Sequence, residues 1–340
     1  VFDDSRLDDP AALAGVDDEL RLIAGWGAQV RRAGASAQVA LAAAADRLSS
    51  RPRAVLAAGA DGRLLRTVLE RACPVPFVAW PHAGLPGWAG PLDLVIVMDP
   101  AGRPSPENEA AVLEAARRGC ELLVVAPSGS SLARMATGEA VLVPSGSTDP
   151  LASSVPVLAA LHTLGLGPDV SVEPVAAALD AIAEVCGPAS TVDANPAKEV
   201  ALVLADRVPV LWGGTPLAGR AARRWAEGLR AATGVPALAG SAEQLQPLLR
   251  AAPEADLFAD PFDDAAGPGP QAPVLVVLDD GEAEDAVRAI GRELRQVADA
   301  RGVRVHTVTA DEGPDVARFA SLLSVGRFAA VYLALGQSGS

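Results

Sequence analysis

Short apolar runs, each followed by a loop rich in glycine or proline and then a helical stretch, recur along most of the chain. The clearest case is residues 91–127, PLDLVIVMDPAGRPSPENEAAVLEAARRGCELLVVAP. The runs at 92–98 and 122–126 are continuous rather than alternating, which is the mark of strands covered on both faces. Between them, residues 107–118 have helical composition, with Ala111, Leu113, Ala115 and Ala116 as apolar surface and Gly119 as the stop. Strand, loop, helix and strand make a βαβ unit of a buried parallel sheet with a right-handed crossover. In such sheets the working loops lie at the carboxyl ends of the strands. Residues 99–106 are therefore the first place to look for chemistry.

The same grammar extends in both directions. Residues 1–19 are acidic and polar and read as an arm or a first turn. Residues 20–48 are helical, punctuated by Leu20, Ile23, Val30, Val39, Leu41 and Leu48, although Gly25, Gly27 and Gly34 argue against one unbroken helix. Strands are predicted at 54–58, 75–80 and 140–143, and helices at 63–72, 132–136 and 153–164. A linking helix at 168–187 leads to a seam at 188–196. Beyond it, helices are predicted at 198–205, 217–232, 282–300 and 316–333, the last containing Gly326. Strands are predicted at 208–212, 274–278 and 303–308, with an extended segment at 235–239. A helix starting at 245–249 meets Pro247, and residues 259–273 read as an exposed loop. The second half thus repeats the plan of the first, and two α/β domains follow, each a mainly parallel sheet flanked by helices. The division is an arm at 1–19, a first domain at 20–167, a link at 168–195 and a second domain at 196–340.

Composition narrows the partners. Half of the 340 residues are hydrophobic, only 4% are aromatic, and the formal net charge is −14 with Lys198 the only lysine. That balance excludes nucleic acid and anionic membranes as expected partners, because neither is steered toward a net negative surface. Cys73, Cys120 and Cys186 lack CxxC spacing and read as small buried hydrophobes. No apolar stretch is expected to reach the roughly 18 residues of a membrane span. The acidic start does not resemble a signal peptide, so a cytoplasmic protein is expected. His82, His162 and His306 lack ligand spacing, and no metal or cofactor is expected. His162 reads as a core histidine and His306 as structural, whereas His82, in a loop after a strand, is a candidate acid or base.

Three loops of the first half are candidates for one crevice: residues 59–63, 99–105 and 128–131. A glycine loop opening a helix favours anions through free N–H groups and the helix dipole. Asp61 and Asp99 work against that, since a carboxylate there can take the N–H groups itself and repel phosphate. Arg63 and Arg103 could neutralise those carboxylates or clamp an anion. The plainer reading pairs Arg63 with Asp61 and leaves Arg103 in solvent. Only the third loop offers hydroxyls in number, through Ser128, Ser130 and Ser131. GADGR is not GxGxxG, no GKS or GKT occurs, and no GxSxG elbow is present. The hydroxyls of VPSGSTDP, residues 143–150, fit turns or a sugar contact. Phe262, Asp263 and Asp264 read as surface residues of an acidic loop.

These motifs resemble those of sugar isomerase (SIS) domain proteins, in the branch that includes bifunctional phosphoglucose/phosphomannose isomerases. AGADG at 58–62 sits where that family has a GMGGSAI-like loop, and residues 99–104 where it has an SxSGNT-like loop. SGSSL at 128–132 is similar to the SGG-containing third loop. NPAK at 195–198 resembles the start of the second domain, Arg224-Trp225 the RW before an NEN segment, and RFAAVYLA at 327–334 the closing helix. The resemblance implies tandem SIS domains, a homodimer, a sugar or sugar-phosphate ligand, no cofactor, and aldose–ketose isomerisation. It implies ligand-binding roles for Gly59, Asp61, Arg63, Asp99, Gly102, Arg103, Ser128, Ser130 and Ser131.

The departures are chemical. The family's phosphate-binding hydroxyls fall on Asp61, Asp99, Ala101 and Pro104. Its catalytic glutamate falls near Arg230-Ala231-Ala232, and its histidine falls within residues 242–247, which hold none. Isomerisation needs a base to move a proton between C1 and C2 and a second group for ring opening. Glu227 or Glu243, with His82, are the substitutes on offer, in a different register. Three readings stay open: a sugar-derivative-binding protein with weak or lost isomerase activity, an active isomerase with relocated groups, and an interaction protein.

Overall fold

The computed structural model describes residues 2–48, 51–136, 138, 140–253 and 272–337, apart from the side chains of residues 45–47 and 63. The contacts divide the chain into two compact units. One comprises Trp26–Ala177 and Pro314–Ala317; the other comprises Val1–Gly25, Ala178–Gly313 and Arg318–Ser340.

The acidic start folds into a 3₁₀ helix, Asp4–Leu7, followed by α1 (Pro10–Ala14) and α2 (Asp17–Ala24). Leu7 is fully buried, and Asp3 N–H donates to the Gly336 carbonyl at 2.9 Å. The helical stretch expected over 20–48 is two helices. Gly25 caps α2, and α3 (Trp26–Arg47) begins at the next residue. Gly27 and Gly34 do not break α3. Gly34 instead lets Val172 approach, since a Cβ there would lie 2.9 Å from a Val172 methyl.

The first sheet is built from β1 (Ala54–Ala58), α4 (Arg63–Ala72), β2 (Phe77–Trp80), β3 (Asp93–Met98), α5 (Pro106–Arg118), β4 (Glu121–Ala126), α6 (Ser131–Met135), β5 (Val141–Pro144) and α7 (Pro150–Thr163). All five strands are parallel, in the order β2-β1-β3-β4-β5. Every residue of β1 and β3 is buried, as continuous apolar runs require. Asp93, the one polar residue of β3, is matched by Arg53 at 2.6 Å and by the Gly90 N–H at 2.8 Å. The chain leaves β1 toward one edge and returns on the other side at β3. The switch point, and the crevice it opens, therefore lies between the carboxyl ends of β1 and β3.

α8 (Val172–Cys186) and a 3₁₀ turn, Val192–Ala194, lead to the second sheet. It comprises α9 (Pro196–Leu204), β6 (Val208–Gly213), α10 (Pro216–Thr233), β7 (Leu238–Ala239), α11 (Ala242–Arg250), β8 (Pro273–Asp279), α12 (Asp285–Asp299), β9 (Val305–Thr309) and α13 (Asp315–Gln337). Its order is β7-β6-β8-β9, again all parallel, so β6 and β8 flank its switch point. α11 runs through Pro247, started by a capping box between Ser241 and Gln244. Gly326 sits inside α13 because Trp225 fills its place: a Cβ there would come within 2.3 Å of the indole, whose N–H donates to the Leu322 carbonyl at 2.7 Å.

Several expectations need correction. α13 is long and apolar enough to span a membrane by length and composition, contrary to the reading that no stretch is; 89% of its most apolar window is nevertheless buried. His162 is exposed near the end of α7, its Nδ1 3.3 Å from the Gly167 carbonyl, rather than in the core. Cys120 and Cys186 are buried, but Cys73 is only half-buried. His306 does lie within a strand, β9, as its surroundings in the sequence predict, and is half-buried 3.8 Å from Glu199. Phe262, Asp263 and Asp264 lie outside the described residues.

Candidate functional site

The loop after β1 turns at Gly59, whose φ of +82° favours glycine. Gly59 N–H donates to the Trp80 carbonyl at 2.9 Å. A Cβ on Gly59 would stand 2.0 Å from Asn108 Oδ1. Asn108 belongs to the first turn of α5 and is buried; its Nδ2 donates to the Met98 carbonyl at 3.3 Å, while its Oδ1 has no hydrogen-bond partner among the described residues. One side chain thus joins the end of β3 to the loop after β1. Asp61 is half-buried in that loop and engaged in interactions of its own. The Arg63 side chain lies outside the described residues.

The loop after β3 is organised by Asp99. Its carboxylate is buried and accepts the Arg103 N–H at 3.2 Å, and its carbonyl accepts the Gly102 N–H at 3.1 Å. Gly102 has a φ of +64°, and a Cβ there would press on Pro127 at 3.0 Å and lie 3.4 Å from the Ser130 Cβ. The second and third loops are therefore in contact. Ser105 caps α5 by accepting the Asn108 N–H at 3.3 Å, with Pro106 at the first helical position. Arg103 is exposed.

In the third loop the hydroxyls are largely committed. Ser130 Oγ caps α6 by accepting the Ala133 N–H at 3.1 Å, and Ser131 Oγ donates to Glu109 at 3.0 Å. Ser128 is exposed. His82 is exposed after β2, edge-on to Trp80 with ring centroids 4.9 Å apart. Gly59, Asp99, Gly102 and Ser130 are thus brought to neighbouring loops at one end of the first sheet. Asn108, which ties two of them, is not singled out by the sequence pattern; its place just after a Ser-Pro cap is the only signal it leaves there.

Glu227 and Glu243 lie in the other unit and are exposed. Glu227 pairs with Arg224 at 3.0 Å. The Ser241 hydroxyl holds the Glu243 carboxyl below its usual range, the opposite of what a poised general base needs. Arg230, at the position where the resemblance puts a catalytic glutamate, donates to the Ala237 carbonyl at 2.5 Å.

Comparison with known proteins agrees with this architecture. Residues 193–338 match the family model of the bacterial phospho-glucose isomerase C-terminal SIS domain. No curated protein sequence matches the chain significantly. Among solved structures, the fold is similar to tagatose-6-phosphate ketose/aldose isomerase from Escherichia coli, with 17% identity, 97% of this chain and 96% of that one covered, and a TM-score of 0.67. It is also similar to the C-terminal domain of glucosamine-fructose-6-phosphate aminotransferase from Francisella tularensis, with 11% identity, 91% and 95% covered, and a TM-score of 0.57. A hypothetical protein from Thermus thermophilus has 14% identity, 98% and 94% covered, and a TM-score of 0.62. Residues 193–338 thus match an SIS-domain family model, and the chain as a whole shares its fold with these solved structures.

Proposed function

We propose that this chain binds a carbohydrate derivative in the crevice between β1 and β3, related to glucose or mannose 6-phosphate, and has weak or lost isomerase activity. The observation that supports this reading is Asp99. Its buried carboxylate already accepts a loop N–H that an ester phosphate would otherwise use. Two anions competing for one set of N–H groups repel each other, and a neutral hydroxyl is the better guest beside Asp99. The named activities of the similar structures, on sugar phosphates, make a sugar the natural ligand class. Loss of turnover follows from Glu227 and Glu243, which are exposed and locally paired rather than set as bases. We read the assembly as a homodimer, as the family resemblance implies.

The test is calorimetric titration with fructose 6-phosphate and free fructose, together with an aldose–ketose assay. The expected result is binding of both sugars without turnover. Asp99→Ser should tighten fructose 6-phosphate by roughly tenfold, the scale of one charge-assisted hydrogen bond, and leave fructose little changed. Measurable turnover would favour an active isomerase with relocated groups. No saturation by either sugar would favour an interaction protein.

A further inference from the structure

The second sheet has a switch point of its own, and a cleft of about 200 Å³ opens there. It is lined by Trp212 and Val277 from the strands, by Thr215, Asp279 and Asp280 at their carboxyl ends, and by Arg288, Arg292 and Arg295 of α12. The three arginines recur at spacings of four and three and so share one helix face.

Two glycines let the indole of the floor pack closely against its neighbours. Trp212 is buried, and glycines stand on two sides of its ring. A Cβ on Gly291 would come within 3.0 Å of the indole; one on Gly214 would come within 2.8 Å of it and 2.4 Å of Val287. Gly291 lies mid-helix, where glycine is unfavourable relative to alanine. The close approach of the aromatic edge accounts for it.

The polar groups divide into committed and uncommitted ones. Asp280 is buried and accepts the Thr215 hydroxyl at 2.5 Å; Asp279 accepts the Gly281 N–H at 2.9 Å. Arg288 pairs with Asp285 at 3.0 Å. Arg292 is exposed and Arg295 is half-buried, and among the described residues neither has a hydrogen bond or ion pair. The cleft therefore offers two free guanidinium groups beside carboxylates that retain lone pairs, over an apolar floor. Guanidinium forks suit phosphate oxygens, carboxylates suit hydroxyls, and an indole suits the apolar face of a ring.

We infer that this cleft is a second ligand site, for the phosphate ester of a small hydroxylated compound, with Arg292 and Arg295 on the phosphate and Asp279 on a hydroxyl. This does not rest on the reading of the β1/β3 crevice, which involves other residues in the other unit.

The experiment titrates the full chain with glucose 6-phosphate, inorganic phosphate and glucose, read by calorimetry and tryptophan fluorescence. Glucose 6-phosphate should saturate with a fluorescence change that Trp212→Phe removes. Arg292→Gln with Arg295→Gln should weaken binding roughly tenfold or more, as expected for two charge-assisted contacts. The melting temperature should hold, because among the described residues neither arginine makes a hydrogen bond or ion pair that the variant would break. Arg103→Gln and Asp99→Ser should leave this component unchanged, which separates it from the other crevice. Absence of saturation, or affinity unaltered in the double arginine variant, would overturn the site. Equal affinity for inorganic phosphate would overturn its assignment to an ester.

Discussion

Lys198 Nζ lies 2.8 Å from the Asp8 carboxylate, and the two residues are 190 positions apart in the chain. The lysine is fully buried, whereas Asp8 is 45% exposed. The ammonium also donates to the carbonyls of Ser190 at 2.8 Å and Pro188 at 3.3 Å, and sits 5.4 Å from the centroid of the Tyr332 ring. Every proton of the only lysine is accounted for, which is the condition under which a buried charge is tolerated.

Removing either partner should destabilise the protein, but not equally. Asp8→Ala leaves a buried cation without its counter-ion and is expected to cost about 3 kcal/mol. Lys198→Met leaves two carbonyls short of a donor and is expected to cost about 1–2 kcal/mol. The hydrogen bond from Lys198 holds the Asp8 carboxyl below its usual range. The pair's contribution is thus present above the unfolded carboxyl pKa of about 3.9 and is lost as pH falls through the lower folded value. Urea unfolding between neutral and acid pH checks both points. A larger loss in Lys198→Met, or an acid limb unchanged in Asp8→Ala, would contradict this account.

Gly59 makes a second prediction. Gly59→Ala meets both a left-handed backbone and Asn108 Oδ1, and should destabilise by about 1–3 kcal/mol. Gly129→Ala, in the third loop, faces open space and serves as the control, with little expected change. Asn108→Ala in the Gly59→Ala background should recover part of the loss, so that the double change costs less than the sum. Thermal melts of the four variants decide it. Strict additivity would mean that the two residues do not oppose each other.

The thiols make a third. Burial raises the pKa of all three cysteines, and it pushes Cys186 up to about 12. Thiolate is the reactive form, so the native protein should react slowly at Cys73 and not at Cys120 or Cys186 at neutral pH. Denaturant should release the other two. A disulfide-exchange reagent followed by peptide mapping gives the count, and prompt native labelling of Cys186 would refute the packing around Tyr332, whose hydroxyl donates to its carbonyl at 2.7 Å.

Much of the fold was legible because buried parallel strands leave continuous apolar runs and because helices here start and stop with ordinary signals. Ser105-Pro106 opens α5, Thr215-Pro216 opens α10, and Gly119 and Gly234 close the two helices in the left-handed conformation. What escaped depends on contacts remote in sequence. Gly326 reads as a weak point of a helix until Trp225 occupies its place. His162 sits in an apolar stretch, yet α7 turns it outward beyond Leu161. Asn108 is one polar residue among several at a helix start, and only the return of the chain to β1 sets it against Gly59. The arginines of α12 look like a solvated face, and their cleft exists only because β6 and β8 lie side by side.

The grouping of the first residues with the C-terminal unit carries a consequence for synthesis. Asp8 leaves the ribosome 190 residues before the lysine it will neutralise. At about 5–20 residues per second, that is a wait of roughly 10–40 s. During this interval the sheet of Trp26–Ala177 can assemble from its own contacts, while Leu7 and its neighbours have only Val1–Gly25 of their own unit to bury against. The stretch around Leu7 is then exposed, apolar and acidic at once, until the segment around Lys198 emerges, so one sheet can be finished while its neighbour in sequence still waits.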